Sequence, residues 1–270
     1  MTRCQDPTHR SYSGDRGFDE CQWRDARYRD GARRTVSPRM AVGSAVDEAI
    51  CTILRDDVPA NVPAIVTRIA EAEGLPFARL DEMTAKAIGL VDLWIREVYP
   101  TAPSLYAEQH ELHWEHEGIV FHAHLDLVWA DGSVEDLKTS ERRLEDRRAD
   151  TDEQLTYYGW AMREVYGVIP VRVGLVGLIW ANPPADVKLW RPEARKPWLD
   201  VQRATRTAEQ IDALAARAVQ RERVRRWADE TGLHLPNGRS VAFACNDCAV
   251  KPTCPAWTGF DTREVVDVAA

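Results

Sequence analysis

Apolar positions along the first part of the chain recur every three to four places, which is the period of an amphipathic helix. This spacing predicts a helix that begins at Gly43, followed by helices over residues 60–74 and 80–99. Residues 18–28 carry a shorter pattern of the same kind, whereas residues 1–17 are polar and have no period. We therefore predict a loose arm over residues 1–17, followed by a helical region.

The pattern changes near residue 111. The segments 111–117, 119–130 and 133–138 alternate apolar with polar residues or are rich in β-forming residues, which predicts three strands. Asp131–Gly132, between the last two segments, is a strong signal for a two-residue hairpin turn. The middle of the chain is therefore predicted to form a block of paired strands.

The rest of the chain mixes helical and strand patterns. Further elements are predicted over 142–166 (a charged helix), 171–180 and 187–190 (strands) and 208–230 (a long helix). Helices thus flank a compact set of strands, so the expected fold class is α/β with a mixed central β-sheet. We expect one domain over residues 18–240 and a separate cysteine-containing segment over residues 241–270.

Composition narrows the classes of protein. The chain has 270 residues, of which 44% are hydrophobic and 29% are charged, so it can bury a sizeable core. No run approaches the ~20 apolar residues of a membrane span, and the amino terminus lacks a secretory signal, so we expect a cytoplasmic protein that does not enter a membrane. The net charge of −8 argues against a protein that coats nucleic acid through bulk charge, but it allows DNA binding through a local basic surface.

Two aspartates and a lysine fall on the predicted hairpin. Asp136 and Lys138 are two positions apart and so share one face of a strand, and the turn at Asp131–Gly132 would place Asp126 across from Asp136. Buried charges are costly unless they are paired or bound to metal. The group suits a site where carboxylates hold a divalent cation and the lysine stabilises charge on a phosphate. A surface hairpin with an ordinary Asp–Lys ion pair is the alternative.

These residues occur with further motifs in a fixed order. Gly43-Ser-Ala-Val-Asp47 is followed by Asp126, by Asp136-Leu-Lys138-Thr139 and by Gln154-Leu-Thr-Tyr-Tyr158. The series resembles the RecB-like branch of the PD-(D/E)XK nucleases, from about Cys21 to Cys254. The resemblance implies the restriction-endonuclease-like core of that family. It also implies that Lys138 is the catalytic lysine and that Gln154 and Tyr158 line the catalytic site.

The resemblance further implies a site for Mg²⁺ or Mn²⁺. Asp126 and Asp136 would be side-chain ligands, and the carbonyl oxygen of Leu137 would be a further ligand. Asp47 stands where the family usually has a histidine, which is a departure from the pattern. Because hard cations prefer oxygen ligands, we expect Asp47 to be a third carboxylate ligand. An ordinary solvent-facing helical aspartate is the alternative, and the substitution puts the metal preference in doubt.

Cysteines are concentrated near the carboxyl end. Cys245, Cys248 and Cys254 form a C-x₂-C-x₅-C pattern, which supplies three thiolates of a site that needs a fourth ligand. The resemblance implies that Cys21 is the fourth ligand and that the four residues hold a 4Fe–4S cluster. A zinc ion held by the same four thiolates is the alternative, since the number of ligands does not separate the two. Cys4 is the alternative to Cys21.

The expected function is a DNA nuclease that hydrolyses phosphodiester bonds with water activated by Mg²⁺ or Mn²⁺. By analogy with the RecB-like branch, an exonuclease acting on single-stranded or double-stranded DNA with ends is favoured over a site-specific enzyme. The same analogy suggests recombination or CRISPR-adaptation proteins as partners. Two other classes stay open: a non-catalytic DNA-binding or assembly subunit, and a regulator that uses the cluster as a redox switch.

Overall fold

The structure, a computed structural model, describes residues 9–32, 36–181, 197–236, 245 and 248–258. The chain divides into two compact units, each made of separate stretches of sequence. The first unit consists of Met1–Arg3, Val36–Trp114 and His122–Ala215. The second unit consists of Cys4–Thr35, Glu115–Phe121 and Ala216–Ala270.

Helices dominate both ends of the described chain. They are α1 (Tyr12–Glu20), α2 (Gln22–Arg29), α3 (Pro38–Asp56), α4 (Val62–Ala72), α5 (Leu80–Glu97), α6 (Arg148–Thr151), α7 (Glu153–Tyr166), α8 (Ala208–Thr231) and α9 (Pro255–Thr258). Short 3-10 turns cover Phe77–Arg79, Tyr99–Thr101 and Lys251–Thr253. None of the described helices is both long and apolar enough to span a membrane.

Within the described residues, five strands form one sheet in the order β1-β2-β3-β4-β5. The strands are β1 (Leu105–His116), β2 (Ile119–Trp129), β3 (Ser133–Ser140), β4 (Arg172–Ile179) and β5 (Trp198–Ala204). β2 and β3 are antiparallel, β3 and β4 are parallel, and β4 and β5 are antiparallel. The sheet is therefore mixed and flanked by helices, which confirms the predicted fold class.

The main core of the first unit packs α3, α4 and α5 against one face of the sheet. Trp94 and Ile50 are fully buried there, together with Val176 and Leu178 of β4. Ser37 caps the start of α3 by accepting a hydrogen bond from the Met40 N–H, and Pro38 follows at the first helical position. The helix is thereby fixed at its start, five residues before the glycine of the first motif.

Two expectations from the sequence need correction. The predicted loose arm is helical from Tyr12 onward, because Ser11 caps α1 by accepting from the Gly14 N–H. The predicted helix over 142–166 is broken, since Arg147 has a left-handed backbone with φ of 59° and Asp152 starts α7 anew. β5 was not predicted at all, and the expected strand over 187–190 lies outside the described residues.

Candidate active site

The site lies where β2 and β3 separate. The two strands pair at Leu127↔Glu135 and Val128↔Val134, so Asp126 and Asp136 come directly after the last pair. The Leu137 N–H donates to Asp126 Oδ2 at 2.9 Å. This hydrogen bond ties the side chain of Asp126 in β2 to the backbone in the middle of β3.

Four side chains form a closed ring of polar contacts beside this point. Lys138 Nζ donates to Gln154 Oε1 at 2.9 Å, and Gln154 Nε2 donates to the Tyr158 hydroxyl at 2.7 Å. The Tyr158 hydroxyl donates in turn to Asp136 Oδ1 at 3.0 Å. Asp136 Oδ2 closes the ring by an ion pair with Lys138 Nζ at 2.6 Å. Every predicted catalytic residue except Asp126 belongs to this ring, and Asp126 is its neighbour on β2.

Burial and mutual repulsion shift the ionisation of these groups. Burial raises the pKa of Asp126 well above its usual range, and the negative charges of Asp136 and Asp47 raise it further. Burial also raises the pKa of Asp136, although the nearby Lys138 ammonium opposes that shift. The pKa of Tyr158 is raised well above its usual range by burial and then by the two aspartates. The phenol therefore stays protonated and remains the donor to Asp136.

Asp47 lies on α3, and Gly43 of the first motif explains how α3 can pack so closely against β3. A Cβ placed on Gly43 would lie 2.8 Å from Thr139 Oγ1 of β3, which is closer than ordinary contact. Asp47 lies one helical turn further along α3, where its charge acts on Asp126. Its two carboxylate oxygens accept hydrogen bonds from Gln109 Nε2, at 3.1 Å and 3.0 Å.

The start of α7 is held so that Gln154 and Tyr158 face the site. Asp152 caps the helix by accepting from the N–H groups of Gln154 and Leu155. Arg206, which is 5% exposed, donates to the carbonyl oxygens of Ala149 and Asp152 and to the Thr156 hydroxyl. A buried guanidinium with three such acceptors fixes the junction between α6 and α7.

Gln109 and Arg206 were not found from the sequence. Gln109 lies in the first half of β1, Leu105–Gln109, where polar residues hide the strand pattern, and no motif marks it. Arg206 follows β5, which was itself missed. No sequence signal marks either residue, because each acts through contacts with residues fifty or more positions away.

The carboxylates fit a hard divalent cation by their chemistry. Asp136 is buried and Asp126 is half-buried, and burial raises the pKa of both carboxyl groups. A cation would offset the negative charges of Asp136 and Asp47, which raise the pKa of Asp126 further. Within the ranges that the structure describes, no three His, Cys, Asp or Glu side chains are gathered closely enough to hold a metal ion as they stand. Of the three aspartates that were predicted to bind the metal, Asp47 is hydrogen-bonded to Gln109.

The predicted cluster ligands all belong to the second unit. Cys21, Cys245, Cys248 and Cys254 are partly buried, and the Cys21 sulfur accepts from the Arg24 N–H. Burial raises the pKa of Cys248, and a backbone hydrogen bond from Val250 and the charge of Arg24 oppose that shift. Cys4 lies outside the described residues.

A buried ion cluster surrounds one arginine of the second unit. Arg225 is 1% exposed and is paired with Glu222, Asp15 and Asp25. A run of charged residues in a helix is usually a solvated face, but Arg225 of α8 is buried. Burial raises the pKa of Asp15 to about 6, whereas Arg10 and the other arginines around Glu222 hold its pKa at about 2 in spite of burial.

The mixed sheet thus carries two aspartates and a lysine at the point where β2 and β3 separate. The sequence profile of the PD-(D/E)XK nuclease superfamily matches residues 11–255. The chain therefore belongs to the PD-(D/E)XK nuclease superfamily. Among curated proteins, no relative matches the chain at a significant level.

Solved structures support the fold. The crystal structure of a candidate exonuclease from Eubacterium rectale is similar over 91% of this chain and 94% of that chain, with a TM-score of 0.57 and 12% identity. The crystal structure of SSO0001 covers 83% of this chain and 87% of its own at 13% identity, with a TM-score of 0.33. The first likeness shows a shared fold, and the second is too low to add to it.

Proposed function

We propose that this chain is a metal-dependent DNA nuclease that acts on DNA ends, as in the RecB-like branch of its superfamily. The observation that carries the proposal is the closed ring of Asp136, Lys138, Gln154 and Tyr158 beside Asp126. A surface hairpin with one ion pair would not bury Asp136 completely or bring a glutamine and a tyrosine of α7 to it. The candidate exonuclease of similar fold supports action on ends as the first activity to test.

Asp126 and Asp136 would hold Mg²⁺ or Mn²⁺, with Asp47 and the Leu137 carbonyl oxygen as further ligands. The bound cation supplies positive charge that polarises the phosphate and lowers the pKa of water. The Lys138 ammonium donates to Gln154 and forms an ion pair with Asp136. Because an ammonium has three N–H donors, it would also donate to a phosphate oxygen or to the attacking water. Gln154 and Tyr158 keep the ammonium and the Asp136 carboxylate in fixed positions.

Cleavage of end-labelled DNA tests the proposal directly. Single-stranded and double-stranded oligonucleotides are incubated with Mg²⁺, Mn²⁺ or EDTA, and the length of the products separates digestion from an end from internal cutting. Lys138→Ala should lower the cleavage rate by at least about a hundredfold, since a group that stabilises developing charge commonly contributes this much. Lys86→Ala is the matched control, because Lys86 pairs with Glu82 and Glu141 on the surface of the same unit. Equal rates for wild type and Lys138→Ala would exclude this site as the source of cleavage.

We also propose that Cys21, Cys245, Cys248 and Cys254 hold a 4Fe–4S cluster that stabilises the second unit. Cys21 and the other three are separated by more than two hundred residues, so binding would close a long loop and contribute to folding. All four cysteines belong to the second unit, which supports the proposal. Protein purified without oxygen should be brown, with about four irons per chain. Cys21→Ser should lose colour and solubility, whereas Cys51→Ala, at a buried cysteine of α3, should retain colour. Colourless protein with about one zinc per chain would replace the cluster with the zinc alternative.

A further inference from the structure

Three aromatic rings of the first unit form a partly exposed group where β1 meets the end of α7. The Tyr106 ring stands edge-on to the His110 ring, with the ring centroids 6.3 Å apart. The His110 ring stacks on the Tyr166 ring at 6.0 Å between centroids, and its Nε2 is hydrogen-bonded to the Tyr166 hydroxyl. Tyr106 is 61% exposed and Tyr166 is 40% exposed, so this aromatic cluster of Tyr106, His110 and Tyr166 can contact a ligand.

An unusual backbone conformation lies inside the aromatic cluster. Gln109, between Tyr106 and His110, is left-handed with φ of 45°, which is unfavourable for a residue that has a Cβ. Positions four apart in a regular strand are separated by about 13 Å, and a left-handed residue interrupts that regular course. Such a conformation persists where surrounding contacts hold it, and it often accompanies a functional site.

Two connections place the aromatic cluster beside the candidate active site. Gln109 directly precedes His110, and its side-chain amide donates to Asp47. On α7, Tyr158 of the polar ring and Tyr166 of the aromatic cluster are eight residues apart, which is about 12 Å along a helix. That length corresponds to about four stacked nucleotides at about 3.4 Å each. A DNA strand that enters the site would therefore reach the cluster within a few nucleotides.

The cluster offers a ligand flat ring surface rather than charge. Burial lowers the pKa of His110 below its usual range, although the charge of Glu108 opposes that shift. Burial and the neighbouring Tyr106 raise the pKa of Tyr166. The His110 and Tyr166 rings are thus uncharged at neutral pH, which gives them little attraction for phosphates. The face of an aromatic side chain stacks on any base, and an unpaired nucleotide can be splayed out to present its base.

We infer that the aromatic cluster is a platform on which unpaired bases of the DNA strand stack beside the active site, with Tyr106 as the main contact. The inference rests on the proposed function, because it takes DNA as the substrate. A protein partner could also use an exposed aromatic surface. The position of the cluster favours DNA, since the substrate has to reach the polar ring and a protein partner does not.

Binding of labelled single strands tests the inference. Fluorescence anisotropy gives the Kd of the full chain for an ordinary oligonucleotide and for a fully abasic strand of the same length, in buffer without added divalent cation so that neither is cut. Tyr106→Ala should weaken binding of the ordinary strand by about 5- to 100-fold, the contribution of one base stacked on an aromatic ring, and leave binding of the abasic strand unchanged. The dependence of Kd on salt should also be unchanged, because the phosphate contacts remain.

Further variants separate stacking from a loss of packing. Tyr106→Leu removes the ring but keeps an apolar side chain, so it should behave as Tyr106→Ala does, whereas Tyr106→Trp should bind the ordinary strand as well as wild type. Phe77→Ala is the matched control, because Phe77 is an aromatic residue of the same unit that is 68% exposed and lies in a 3-10 turn outside the cluster. It should leave both Kd values unchanged.

Failure of the inference and failure of the proposed function are distinguishable. If wild type cuts end-labelled DNA, but Tyr106→Ala and Tyr106→Leu keep the wild-type ratio of the two Kd values, the inference is overturned and the proposed function stands. A loss of affinity for both strands alike, with a changed salt dependence, also overturns the inference, because phosphate contacts would then have been lost. If only binding of the ordinary strand is weakened, but wild type cuts no DNA with Mg²⁺ or Mn²⁺, the platform is supported and the proposed function fails.

Discussion

Gly43→Ala tests whether the close approach of α3 to β3 is what brings Asp47 to the other aspartates. The added Cβ would lie 2.8 Å from Thr139 Oγ1, whereas ordinary contacts begin near 3.4 Å. About half an ångström of overlap must therefore be removed. Either Thr139 rotates about χ1 or α3 moves away from the sheet, and only the second change displaces Asp47.

Two terms of opposite sign decide the effect on stability. Gly43 lies inside α3, where alanine is favoured over glycine by about 1 kcal/mol. Overpacking against β3 costs about 1–3 kcal/mol. The net change for Gly43→Ala is therefore a loss of about 0–2 kcal/mol. In a Thr139→Ala background the obstructing oxygen is absent, so the same substitution should stabilise the protein by about 1 kcal/mol.

The difference between the two backgrounds is the quantity to measure. Urea unfolding of the wild type, both single variants and the double variant gives a coupling energy, which should be about 1–3 kcal/mol. Tryptophan fluorescence follows the transition, since the chain has ten tryptophans. A coupling energy near zero, with Gly43→Ala stabilising both backgrounds alike, would refute the close-approach argument. Mn²⁺ affinity of Gly43→Ala then shows which of the two adjustments occurs, because movement of α3 weakens binding and rotation of Thr139 does not.

Further outcomes follow from other contacts. Tyr158→Phe removes the hydrogen-bond donor to Asp136. It should lower Mn²⁺ affinity or the cleavage rate by about 10- to 100-fold, as the loss of other groups that orient metal ligands does. An unchanged affinity and rate would show that the ring of polar contacts is not needed. The pKa of Asp15 is raised from 3.8 to about 6, so the folded state loses stability as pH rises from about 4 to about 6. Asp15→Asn should remove that loss and stabilise the protein at pH 7.5 by up to about 3 kcal/mol in thermal unfolding, with no gain at pH 3.5. Destabilisation at pH 7.5 would mean that Arg225 needs the charge of Asp15.

Much of the first unit follows from local sequence patterns. α3, α4 and α5 have a clear helical period, and each begins or ends within a few residues of its predicted bounds, except that α3 starts at Pro38. The hairpin of β2 and β3 was predicted from Asp131–Gly132, and Gly132 has the expected positive φ. Asp136 and Lys138 were placed on one face from their spacing alone, and the structure brings both to α7.

The remaining features depend on contacts between distant parts of the chain. β5 consists of the sequence WLDVQRA, in which polar residues interrupt the apolar ones, and it is stabilised by pairing with β4 rather than by its own pattern. Leu144, which precedes the break at Arg147, is buried against Gly177 of β4. The contact of Gln109 with Asp47 forms only when the folded chain places the two residues opposite each other. A sequence pattern that extends over one element cannot report such pairs.

The division into two units limits which truncations of the chain can leave a folded fragment, and which parts a gene can gain or lose. The second unit takes its residues from Cys4–Thr35, Glu115–Phe121 and Ala216–Ala270, and these stretches bracket and interrupt the sequence of the first unit. Neither unit is therefore a continuous fragment that a gene could gain or lose in one step. A deletion that begins after residue 215 removes one of the three stretches of the second unit. Asp15 then loses its partner Arg225, and Arg10 loses its partner Glu222. Shortening at either end is thus expected to expose buried charge rather than to release a smaller intact nuclease.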